Sequence, residues 1–71
     1  MKIDEIKDYI RLHLENWAYE DSEDNFLLID NSTNEIIIDF DKNLEQVKVT
    51  SWIYELDELK HLNKIIECFY D

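Results

Sequence analysis

Phe26-Leu27-Leu28-Ile29-Asp30-Asn31-Ser32-Thr33-Asn34-Glu35-Ile36-Ile37-Ile38-Asp39-Phe40 decides the fold. Two short apolar runs of β-favouring residues flank a cluster of Asn, Ser and Thr, which bond back to the backbone and tolerate turn geometry. The pattern predicts a β-hairpin. Asn31-Ser32-Thr33 also matches a glycosylation sequon, read here as turn chemistry. Downstream, Asp41-Lys42-Asn43 predicts a second turn, and Leu44 to about Ile53 a third strand. Val47, Val49 and Ile53 then share one face of it, with Lys48 and Thr50 on the other.

On the N-terminal side, Ile3, Ile6, Ile10, Leu14 and Trp17 recur at spacings of three and four. That predicts a helix from about Ile3 to Tyr19, with Asp4 and Glu5 in the turn where the helix dipole favours negative charge. Glu20 to Asn25 is expected to be the loop into the hairpin. Leu56, Leu59, Leu62, Ile66 and Phe69 predict a last helix over about Leu56–Tyr70, with Ile65 adjacent to its stripe. Thr50, Ser51 and Asp57 are alternative caps for it.

The expected class is therefore α+β, in the order α-β-β-β-α. A three-stranded antiparallel meander packs with two helices, most simply on one face. The expected core is Ile6, Ile10, Leu14, Ile38, Val49, Leu59, Leu62 and Ile66. Consecutive apolar residues at 26–29 and 36–38 conflict with a half-exposed sheet, which should alternate. Either the helices divide between the faces or one face meets another chain, and a homodimer is an expectation on that ground.

Seventy-one residues make one domain, residues 1–71, with a thin core. Apolar residues are 45% of the chain, enough to exclude a disordered tail. There is no Gly and no Pro, so Asn, Asp and Ser must make the turns. The single cysteine, Cys68, excludes an internal disulfide. No apolar run has membrane-spanning length. Met1-Lys2-Ile3-Asp4-Glu5 lacks the apolar core of a signal peptide, and a cytoplasmic location is expected.

Several chemistries fail on their residues. Paired carboxylates are too common here to signify catalysis, and a chain this small offers little room for a cleft that raises an acid's pKa. Asp39-Phe40-Asp41-Lys42-Asn43 begins like a calcium loop, but Leu44 stands where glycine is required and Thr50 where glutamate is. His13 and His61 lack a metal-binding context, and Cys68 sits beside an apolar stripe. No phosphate-cradling loop exists without glycine. The chain is expected to be no enzyme, with no catalytic residue, metal or cofactor.

Charge is the strongest signal. Asp and Glu number 18 against 7 Lys and Arg, a net charge of −11. From Leu12 to Asp41 there is no Lys or Arg. Such a surface repels nucleic acid and anionic membranes and attracts basic proteins. Trp17, Tyr19, Trp52 and Tyr54 are suited to stacking, but no basic groove accompanies them. Magnitudes of about 2–8 suffice for solubility, so the excess points to binding. Carboxylates held on a rigid edge can occupy a groove built for phosphates. Glu15, Tyr19, Glu20, Asp21, Glu23 and Asp24 form the densest group, with Tyr19 as an anchor. Asp30, Glu35, Asp39 and Asp41 extend it across the hairpin.

In size, charge and helix-plus-short-sheet build, the chain resembles small acidic phage-encoded inhibitors of host defence, the anti-CRISPR and anti-restriction DNA mimics. That resemblance implies a non-catalytic inhibitor of a nucleic-acid-binding protein, acting in the host cytoplasm. The alternatives are an immunity protein or antitoxin that blocks a basic nuclease toxin, and a small acidic structural or regulatory domain.

Overall fold

A computed structural model describes residues 2–50 and 54–70. The elements are α1 (Ile3–His13), β1 (Trp17–Asp21), β2 (Asn25–Asp30), β3 (Ile36–Asp41), β4 (Gln46–Val49) and α2 (Leu56–Tyr70). The class is α+β, as expected, but the antiparallel sheet has four strands in the order β1-β2-β3-β4, not three. The expected Ser51 cap, the Trp52 platform and Ile53 of the third strand lie outside the described residues.

The added strand comes from the segment read as the end of the first helix. Its stripe runs on through Leu14 and Trp17, but α1 stops at His13 and Leu14 turns extended (φ −128°, ψ 99°). Trp17-Ala18-Tyr19-Glu20-Asp21 carries a second period, of two, with aromatic β-formers at Trp17 and Tyr19. Pairing decides between the periods. β1 lies against β2 from Trp17 opposite Asp30 to Asp21 opposite Phe26, and the Asn31 N–H bonds the Asn16 carbonyl at 2.8 Å. The expected loop thus shrinks to Ser22–Asp24, and β4 begins at Gln46, not Leu44.

Both helices pack on one sheet face. Phe69 of α2 stacks on Phe40 at 4.8 Å and meets Phe26 edge-on at 6.3 Å. Lys7 of α1 lies over the Tyr19 ring, which stacks on Phe26. The core between the layers is Ile6, Ile10, Trp17, Phe26, Leu28, Ile37, Ile38, Phe40, Leu62 and Ile65. A β-bulge resolves the conflict in β3. Leu28 faces Ile38 while Ile29 faces Ile36, so Ile37 is an extra residue that lets two successive isoleucines bury together.

Four expected core residues fall outside it. Val49 is 42% exposed because β4 is an edge strand that α2 does not cover, and Leu59 is 40% exposed. Leu14 and Ile66 are half-buried. In α2 the inward line runs through Leu62, Ile65 and Phe69, which turns Leu56 and Leu59 outward. The α2 start is closed by the Glu55 N–H bonding Glu58 Oε1 at 3.0 Å, half of a capping box, and not by Thr50 or Asp57. No helix among the described residues is long and apolar enough to cross a membrane.

Candidate functional site: an acidic sheet end

The β1–β2 and β3–β4 turns lie at the same end of the sheet and interlock. Ser22 donates its backbone N–H to the Asn25 carbonyl at 2.9 Å, and Lys42 donates its backbone N–H to the Asp24 carbonyl at 2.8 Å. Asn43 Nδ2 donates to Asp24 Oδ1 at 3.0 Å. Asn25 Nδ2 donates to Asp39 Oδ1 at 2.9 Å. The Asp41 carboxylate accepts the N–H groups of Asn43 and Leu44 at 2.9 and 3.0 Å, an Asx turn. Asp24, Asp39 and Asp41 are therefore held in place by neutral donors.

Asp21 is different. Its two oxygens meet Lys42 Nζ at 2.5 Å and Lys7 Nζ at 2.6 Å, and its side chain is only 24% exposed. Hydrogen bonds from Lys42 and then Lys7 hold its carboxyl below the ordinary value. The bond to Asp21 raises Lys7 in turn. Lys42 Nζ also donates to the Ser22 carbonyl at 2.6 Å. Asp21 thus fastens the acidic end to α1, and is not a solvated loop acid like its neighbours.

Glu20, Glu23 and Glu45 form no ion pair among the described residues. Glu45 belongs to this group although the sequence reading, which placed it inside a strand, passed it over. It closes the β3–β4 turn with φ 53°. The signal was available: Asp30-Asn31-Ser32-Thr33-Asn34 and Asp41-Lys42-Asn43-Leu44-Glu45 are matched loops. Each opens with an Asp bonding the N–H two residues on and ends in a left-handed residue, Asn34 or Glu45.

The sheet end gathers Glu20, Asp21, Glu23, Asp24, Asp39 and Asp41 from the expected group. Glu15, Asp30 and Glu35 sit at the other end, about 17 Å away along a six-residue strand. There Asp30 accepts from Ser32 Oγ at 2.6 Å and Ser32 N–H at 2.8 Å, which lowers its pKa. The expected continuous row is thus two clusters. Tyr19 is half-buried against Phe26 on the helix-covered face.

The opposite face of the sheet carries no described element. Glu20, Leu27, Asp39 and Lys48 form one cross-strand row on it, and Ala18, Ile29 and Ile36 the next. Leu27 and Ile29 are half-buried and Ile36 is 43% exposed. A small apolar strip is therefore bordered by a row that carries Glu20, Asp39 and Lys48. Among the described residues, no group of His, Cys, Asp and Glu is placed to hold a metal ion.

Searches of known protein families, curated proteins and solved structures return no match for this chain.

Proposed function

We propose that the protein is a non-catalytic inhibitor that lays its acidic sheet end into the basic groove of a nucleic-acid-binding protein. One observation carries this reading. Lys7 and Lys42 both engage Asp21 and Lys48 lies opposite Asp39, so Glu23, Asp24, Asp41 and Glu45 form no ion pair among the described residues and stand on an interlocked frame. Their positions are set before any partner arrives, which lowers the cost of association. A net charge of −11 along a 30 Å long axis is about one net charge every 3 Å. B-DNA carries one per roughly 1.7 Å, so a groove built for a duplex experiences a comparable field. The reading matches the role of the phage-encoded defence inhibitors that the sequence resembles, and action in the cytoplasm of a host cell is part of the proposal.

The test is affinity capture from host lysate with the parent and with a Glu20→Lys/Glu23→Lys/Asp24→Lys/Glu45→Lys variant, followed by competition with duplex DNA. Asp21 is left intact, since reversing it would break the link to α1. The reading predicts a retained nucleic-acid-binding protein that the variant fails to hold and that DNA displaces. Retention of the same protein by both forms, undisturbed by DNA, overturns it.

A further inference from the structure

β4 is an edge strand, paired with β3 and with no other strand among the described residues. Thr50 donates its N–H to the Ile37 carbonyl at 2.9 Å. Antiparallel bonds alternate along a strand, so Lys48 and Gln46 face β3 with their backbone groups. The N–H and C=O of Val47 and Val49 therefore point to the open edge. The side chains of the same two residues line a cleft of about 640 Å³ beside the last turns of α2, with Phe40, Phe69 and Tyr70 as its walls and Glu45 at one end. Val47 is 37% exposed, Val49 42% and Tyr70 86%. One strand thus offers unpaired backbone groups on its edge and an apolar trough directly beside it.

We infer that this edge and cleft form a docking groove for an extended segment of the partner, in which apolar residues alternate with basic ones. A strand added to β4 satisfies the open backbone groups, drops alternate apolar side chains into the trough and leaves the others outside. The occupant follows from charge. Glu45 is common to the cleft and to the acidic sheet end, and Asp41 lies opposite Gln46, so a basic residue docked beside Gln46 approaches Asp41 and Glu45. A second copy of this chain is disfavoured, because it brings −11 against −11. A small molecule is disfavoured because no polar side chain that lines the cleft is buried and aimed into it. The inference rests on the acidic-binder reading for the basic character of the segment, but not for the groove itself.

The experiment titrates the full chain with a short synthetic peptide alternating lysine and valine, by calorimetry and by amide chemical shifts. Three comparisons accompany it: the same peptide with alternate backbone nitrogens methylated, a serine–valine peptide, and the Val47→Ser/Val49→Ser protein, checked for folding by circular dichroism. Methylation keeps the charge and side chains but removes donors. The groove predicts a loss of roughly tenfold on methylation and a similar loss in the double variant, with shifts centred on β4 and α2. Equal binding of the methylated peptide, an unaffected double variant, or no binding of the parent peptide overturns the inference. Sedimentation showing a dimer that the double variant abolishes also overturns it, assigning the edge to a second copy. Binding of the serine–valine peptide as tightly as the lysine–valine peptide supports the groove while counting against the acidic-binder reading.

Discussion

Tyr9 Oη lies 2.6 Å from His61 Nδ1, a part-buried hydrogen bond between residues 52 positions apart. It joins α1 to α2 directly. The ring of His13 tilts against Tyr9 at 4.8 Å, and the Lys2 N–H reaches the Cys68 carbonyl at 3.3 Å. The helix pair is therefore held by polar links as well as by Ile6, Ile10, Leu62 and Ile65. Tyr9→Phe keeps the ring and removes the hydroxyl. It is expected to cost about 0.5–1.5 kcal/mol in urea denaturation without loss of fold; no change would mean that water replaces the bond without penalty.

Asp21→Asn should weaken the connection of the acidic end to α1. Both lysine contacts are shielded on one side only, so the expected cost is about 1 kcal/mol, near the upper range for surface pairs. The Lys42 ammonium keeps its bond to the Ser22 carbonyl, and the β1–β2 turn stays formed. Amide hydrogen exchange should quicken mainly in the segment around Lys7.

Stability should pass through a maximum in mild acid. Between neutrality and the isoelectric point near 4.3, falling pH relieves the repulsion of a chain with net charge −11. Asp21 and Asp30 act in the opposite sense. Both have folded pKa values below the ordinary aspartate value, so their contribution is complete above that ordinary value and is lost as pH falls through the folded values. Thermal melts should therefore rise from pH 7 toward about pH 4–5 and drop below it. The drop should be shallower in Asp21→Asn. Melts that decline steadily from pH 7 would show that self-repulsion is unimportant.

Glu45 holds a left-handed backbone conformation, φ 53°, that Asn and Gly adopt at lower cost. Glu45→Asn should stabilise the protein by roughly 0.5–1 kcal/mol while removing one charge from the acidic end. Asn34→Ala at the matched position should destabilise it by a similar amount. A neutral Glu45→Asn would show that the turn relaxes around the glutamate.

Truncation should separate the buried residues from those turned outward. Phe26 is fully buried and meets both Tyr19 and Phe69, and Phe26→Ala should cost about 3–5 kcal/mol. Leu59→Ala, at a residue 40% exposed, should cost less than about 1 kcal/mol. Equal costs would mean that the α2 face is rotated from the one described.

The hairpin, α2 and the first three turns of α1 were legible because their local signals agree with their tertiary partners. α2 runs over the expected Leu56–Tyr70. β1 was not legible. Trp17 satisfies the helical stripe of Ile3, Ile6 and Ile10 and also the strand alternation with Tyr19, and only the partner β2 separates the two. The same ambiguity concealed the site's shape. With a helix running to about Tyr19 and a loop from Glu20, Tyr19 stands beside the acids as an anchor. As a strand, the segment turns Tyr19 toward the helices and Glu20 toward the bare face. The bulge at Ile37 was likewise invisible, since Ile36-Ile37-Ile38 contains nothing to mark which isoleucine is extra.

The meander order of the sheet has a kinetic consequence. Each strand after the first pairs with the strand before it, across connections of three to five residues, so the sheet can assemble by closing short loops with little entropy cost. Such local topology places the chain among faster-folding mixed proteins. The distant step is the closure of α1 onto α2, and it follows once the strands have brought the two ends of the chain together. Tyr9→Phe should then leave the refolding rate nearly unchanged and accelerate unfolding, a φ-value near zero where the measured destabilisation permits one. A refolding limb slowed in proportion to the lost stability would instead put the helix pair in the folding nucleus.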